Sequence, residues 1–190
     1  WIETRPERFC CQTMVVALLK RGWEQDYYGS PEAYSIACLG RVVQHHELPD
    51  GRYNIMLHGE EKVFLDRYER QQPYRIARVR RVEEERTWAG GEGAAAMAAE
   101  LIELYRRAHQ RQGTALDLAQ LLEPHVSPEA VVNTIAMNLD GESDVRQQLL
   151  ELDGLEMRFQ ALHQLLRESS RTQDVVDRVR HLYPKDLRRN

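Results

Sequence analysis

The hydrophobic period of this chain changes once, at Trp88-Ala89-Gly90-Gly91-Glu92-Gly93, and that change constrains the fold more than any motif does. Before it, apolar residues alternate or sit in short runs, as in half-buried strands. After it they recur every three or four residues, as on one face of a helix. The pattern predicts an α+β chain: a small antiparallel β-barrel or curled sheet over 1–87, a glycine-rich joint at 88–93, and an all-α bundle over 94–190.

Within the first part, Met14-Val15-Val16-Ala17-Leu18-Leu19 reads as a short buried strand. Ile36, Cys38, Gly40 and Val42 alternate with other residues along a second run. Leu48-Pro49-Asp50-Gly51 then supplies the chemistry of a turn. Proline presets φ, aspartate bonds its own backbone, and glycine accepts a left-handed conformation. Tyr53, Ile55 and Leu57 share one face of the returning run, which Gly59 is expected to interrupt before another run, Val63 to Tyr68. After Pro73, the segment containing Ile76, Ala77, Val79 and Val82 carries Arg75, Arg78, Arg80 and Arg81 between them, a half-buried strand with a basic outer face. Short runs about ten residues apart suit an antiparallel sheet, and lack the helix-length spacing of a parallel one.

In the second part, Ala94, Ala98, Leu101, Ile102, Tyr105 and Ala108 form a helical stripe that Gly113 is expected to end. Ser127-Pro128-Glu129 is a helix start, with serine as N-cap and proline at the first helical position. Val132, Ile135, Ala136 and Leu139 follow at helical spacing. Further stripes run through Val145, Leu149 and Leu152, through Leu155, Phe159, Leu162 and Leu166, and through Val175, Val176, Val179 and Leu182. About five helices are expected on ordinary helix and loop lengths.

The order of several pieces resembles one known family. Gly40-Arg41-Val42-Val43, Leu48-Pro49-Asp50-Gly51-Arg52-Tyr53, His58-Gly59, Pro73-Tyr74-Arg75-Ile76-Ala77 and Leu149-Leu150-Glu151-Leu152-Asp153 followed by Arg158 are similar to the amino-terminal, substrate-binding domain of the Lon proteases. Arg21-Gly22-Trp23-Glu24-Gln25-Asp26-Tyr27-Tyr28 is similar to the free-standing bacterial LON-domain proteins that lack the ATPase and peptidase domains. The resemblance implies a PUA-like sheet followed by a helical bundle, and a non-catalytic module that recognises unfolded or degron-bearing polypeptides. It implies no cofactor and no metal. The family's opening strand, rich in Pro, Leu and Phe, has no counterpart after Trp1, so the sheet is expected to lack its first strand. Two alternatives stay open: an amino-terminal fragment of a full ATP-dependent Lon protease, or a scaffold or adaptor with one dedicated folded partner.

The sequence contains no G-x-x-x-x-G-K-[ST] phosphate loop, no G-x-S-x-G elbow and no H-E-x-x-H helix. Its lysines, Lys20, Lys62 and Lys185, do not stand in a peptidase-like context. Cys10, Cys11 and Cys38 are odd in number and form no C-x-x-C pair, which points to reduced thiols and a cytoplasmic location. No apolar run approaches the ~20 residues of a membrane span, and the N-terminus lacks a signal-peptide layout. A net charge of −4 disfavours nonspecific nucleic-acid binding.

Three clusters are candidates for function. Trp23, Tyr27, Tyr28 and Tyr34 lie in a glycine-containing segment, where aromatics anchor a partner polypeptide or, alternatively, cover the end of a sheet. The arginines at 75, 78, 80 and 81, with Arg67 and Arg70 near, make either a charged solvent face or a nucleic-acid platform; only Tyr68 and Tyr74 interleave, which favours the former. His45, His46 and Glu47 alternate faces along a strand, so at most one histidine joins His58, and solvated side chains are the expectation.

Overall fold

A computed structural model of the protein describes residues 13–72, 74–84, 92–109 and 126–180. The chain divides into two compact units, Trp1–Glu83 and Glu84–Asn190. The last two residues of the glycine-rich segment, Glu92 and Gly93, already belong to a helix.

The first unit is an open four-stranded antiparallel sheet in the order β1-β2-β3-β4. Its strands are β1 (Thr13–Val16), β2 (Ile36–Glu47), β3 (Tyr53–Arg70) and β4 (Ile76–Arg81). Of the two sheet forms expected, the open one is realised: among the described residues β1 and β4 are the edges. The hairpin turn forms as the sequence dictates. Gly51 takes φ 81° and donates its amide to the Leu48 carbonyl at 2.9 Å, while Asp50 Oδ1 accepts from the Arg52 amide at 3.1 Å.

Two strand expectations are corrected. The apolar run from Met14 gives an edge strand of four residues, and Val16 is 53% exposed rather than buried. A continuous apolar run specifies strand but not depth. Gly59 does not break the second run either, because β3 passes through it for 18 residues. The register absorbs it: Gly40 pairs with Gly59 while Leu39 pairs with Glu61, leaving Glu60 as an extra residue. Glycine inside a strand marks a bulge or a close backbone approach. Both hold here, since a Cβ on Gly40 would lie 3.2 Å from the His58 carbonyl oxygen.

The three extra residues on β3, Glu60, Asp66 and Glu69, are all acidic, and each meets an arginine of a neighbouring strand. Glu60 pairs with Arg41 at 2.6 Å, Asp66 with Arg80 at 3.6 Å, and Glu69 with Arg78 at 3.1 Å. A bulge re-aims a side chain that would otherwise keep the strand's alternation, and here it sets Glu60 against β2 and Asp66 and Glu69 against the arginine-rich β4.

The second unit contains α1 (Glu92–His109), α2 (Pro128–Met137), α3 (Ser143–Glu151) and α4 (Leu155–Arg180). Ser127 caps α2 as its sequence predicts, its Oγ accepting from the Ala130 amide at 3.1 Å, with Pro128 opening the helix. Such a cap contributes about 1 kcal/mol. Leu101, Ile102 and Tyr105 of α1 pack with Val132 and Ile135 of α2, Leu149 of α3, and Leu155, Phe159, Leu162 and Leu166 of α4 in one buried cluster. A fifth helix is not separate: Val175, Val176 and Val179 lie on α4, which runs unbroken for 26 residues. No Gly or Pro stands between Leu166 and Val175, so nothing stops it. The expected stop at Gly113 lies outside the described residues.

Candidate functional site

Between β1 and β2 the chain makes a loop that is closed at its base by backbone pairing. The Lys20 amide donates to the Glu32 carbonyl at 2.8 Å, the Tyr34 amide donates to the Leu18 carbonyl at 2.8 Å, and Leu19 bridges Ala33. A salt bridge of 2.8 Å between Lys20 Nζ and Glu32 Oε2 lies over the same base. Arg75 Nη1 ties the loop to the start of β4 by donating to the Pro31 carbonyl at 2.8 Å.

Inside the loop, Gly22 at φ 89° opens a single 3-10 turn, Trp23–Asp26. A side chain with a Cβ rarely adopts that φ. Asp26 closes the far side: its backbone carbonyl accepts from the Gly29 amide at 2.9 Å, and its carboxylate accepts from the Ser30 amide at 3.2 Å. The carboxylate sits so close over Gly29 that a Cβ there would meet it at 1.9 Å. These local bonds hold three of the four candidate aromatics together. The Trp23 and Tyr27 rings are 5.6 Å apart, and Tyr27 and Tyr28 meet edge to face at 5.1 Å. Trp23 is half-buried, whereas Tyr27 is 60% and Tyr28 96% exposed. Tyr34, also half-buried, belongs to the loop's base and not to this aromatic row.

The ion pair at the base has a predictable pH response. A hydrogen bond from Lys20 holds the Glu32 carboxyl below its ordinary pKa, and the same bond raises that of Lys20. Glu32's contribution is therefore complete above its unfolded pKa and is lost as pH falls through the lower folded value. Lys20's contribution is lost only as pH rises through its raised value. The latch is expected to hold across neutral pH. By NMR titration Glu32 should ionise below the usual glutamate range, and Lys20→Met should return it there. A wild-type Glu32 with ordinary titration would mean that the latch does not form in solution.

Beside the loop base, Glu32, Ala33 and Ser35 face Leu65, Asp66, Arg67 and Tyr68 across an open depression of about 250 Å³. The basic face of β4 is largely neutralised: Arg78 and Arg80 take the bulge carboxylates, and Arg81 pairs with Glu61 at 2.5 Å. Paired guanidinium groups make a poor phosphate track, so this face reads as a soluble edge. The histidines do not converge. His45 lies opposite Ile55, His46 opposite Asn54 and His58 opposite Arg41, and no group among the described residues could hold a metal ion.

Residues 11–168 match the family described as the ATP-dependent protease La (LON) substrate-binding domain. The chain belongs to that family. Two curated relatives agree with this LON assignment. A Lon protease of Phenylobacterium zucineum is 26% identical over 178 residues, covering 89% of this chain and 22% of the relative. Lon protease 2 of Herpetosiphon aurantiacus is 24% identical over 169 residues, covering 88% of this chain and 20% of the relative. This LON chain therefore spans about a fifth of their length. The fold is similar to the N-terminal domain of the Mycobacterium avium complex Lon protease, with TM-score 0.56 and 16% identity over 81% of this chain and 90% of that one. No helix among the described residues of the LON chain is long and apolar enough to cross a membrane.

Sequence reasoning found the aromatic row, because Trp and Tyr in a Gly-containing segment stand out. It missed the depression under Ser35 and Leu65, whose walls are 30 residues apart in sequence and carry no motif.

Proposed function

We propose that this LON-family chain is a non-catalytic module that recognises polypeptides, unfolded or bearing an exposed degron, through the aromatic row Trp23-Tyr27-Tyr28. The observation that carries the reading is the exposure of Tyr27 and Tyr28 on a loop that is fastened at its base. Two tyrosines held in an edge-to-face pair have few torsions left to freeze, so they offer contact area at low entropic cost. Extended chains with modest sequence demands suit such a surface. The family match supports the substrate-binding role, and the reading needs no nucleotide, metal or peptidase chemistry in this chain. With it we infer a cytoplasmic setting of reduced thiols.

The test is a double substitution, Tyr27→Ala with Tyr28→Ala, read by binding to a permanently unfolded protein and by thermal melting. Affinity should fall about tenfold, the loss expected when contact aromatics are truncated, while the melting temperature stays nearly unchanged. A large drop in melting temperature would instead make the pair part of the fold. Unchanged affinity would remove the loop from the binding surface.

A further inference from the structure

The long strand β3 is covered on one side by β4 as far as Arg70, but on the other side coverage stops early. The last pair with β2 is Phe64 with Ile36, followed by the Leu65 amide donating to the Ser35 carbonyl at 2.7 Å. Beyond that point no strand among the described residues lies against this side of β3 over 66–70. An uncovered edge is a template for an added strand. The open depression of about 250 Å³ sits where coverage ends, between the returning loop and Leu65–Tyr68.

The polarity of the sheet decides which end of an added segment reaches the depression. β2 runs antiparallel to β3. A segment added antiparallel along 66–70 runs in the direction of β2 and in line with it. Its carboxyl end therefore arrives at Ser35, where β2 begins and the way is closed. Charge agrees with that geometry. Of the ionic residues around the depression, Glu32 is paired with Lys20 at 2.8 Å and Asp66 with Arg80 at 3.6 Å. Arg67 lines the same depression and has no ion pair among the described residues. Among the described residues the charge left without an ion pair is thus a guanidinium, whose planar fork suits a carboxylate.

We propose that the depression takes the free C-terminal carboxylate of a polypeptide, received by Arg67, while the preceding residues lie as an added strand on β3 over 66–70. The proposal rests on the polypeptide-recognition reading and specifies what is recognised: a chain end, with the aromatic row serving residues upstream. Tyr68, 38% exposed and stacked with Arg75 at 5.5 Å, offers an apolar wall for the terminal side chain.

The experiment measures fluorescence anisotropy of a short labelled peptide of leucine, alanine and tyrosine, made as the free acid and as the C-terminal amide. The free acid should bind the wild-type chain about fivefold more tightly, the worth of one exposed ion pair. Arg67→Gln should remove that difference, and Arg67→Lys should restore part of it. Hydrogen exchange should show protection over 66–70. Equal binding of acid and amide, both weakened by the Tyr27→Ala, Tyr28→Ala variant, would overturn this inference and leave polypeptide recognition standing. An amidated peptide with an internal aspartate that matches the free acid would transfer the ligand to an acidic side chain and overturn the chain-end assignment. Arg67-dependent dimers on gel filtration would assign the edge to a second copy of this chain, overturning it likewise. No binding of either peptide at ~100 μM would overturn both readings.

Discussion

Replacing Arg158 with alanine is expected to destabilise the helical unit by about 3–5 kcal/mol, the cost of removing one partner of a buried ion pair. Arg158 is 4% exposed on α4, and all three of its donor groups are used. Nε donates to the Leu149 carbonyl at 3.1 Å, Nη1 to Asn133 Oδ1 at 2.8 Å, and Nη2 to Glu84 Oε1. One guanidinium thus joins α4 to the end of α3, to α2, and to the residue at which the unit begins. Alanine leaves the Leu149 carbonyl without this donor, and it takes the guanidinium away from a carboxylate whose side chain is only 18% exposed. Urea unfolding followed by far-UV circular dichroism checks the magnitude. Adding Glu84→Gln to Arg158→Met should recover a large part of the loss, because the pair costs more broken than absent. Additive losses in the double variant would show that the two side chains do not act as a pair.

Leu162→Ala should cost about 2–5 kcal/mol, with the figure set by how far the bundle can close over the gap. Leu162 is 0% exposed and belongs to the cluster to which α1, α2, α3 and α4 all contribute. Removing its isobutyl group opens a cavity bordered by several helices at once, so no single helix can shift to fill it. Leu165 on the same helix is only partly buried, and Leu165→Ala should cost clearly less. Equal losses at the two positions, read from denaturant midpoints at constant slope, would mean that the cluster is not centred where the helices converge.

Both residues illustrate what the chain discloses locally. The spacing of Leu155, Phe159, Leu162 and Leu166 selects one helical face, and all four are buried. Arg158 falls between them, and nothing in its neighbourhood explains a buried cation. Its carboxylate partner lies 74 residues earlier. The strands divide in the same way. The Pro49-Asp50-Gly51 turn was legible because proline, aspartate and glycine act through their own backbones. The extent of β3 was not, because Gly59 reads as a break until Gly40 stands opposite it and the register shifts by one residue. The candidate site was half legible. Trp23, Tyr27, Tyr28 and Tyr34 were visible as a group, but only pairing at the loop base separates Tyr34 from the exposed row.

Local residue chemistry is enough to set the two periods, the hairpin turn, the cap at Ser127 and the order of motifs that marks the LON family. Each of these is set within a few residues by dihedral preference, capping or alternation. Only the tertiary contacts set the bulges, the merging of two helical stripes into α4, the partner of Arg158, and the point at Phe64 where pairing with β2 ends. Those depend on which distant strand or helix supplies the matching hydrogen bonds and volume, and no local preference encodes that choice.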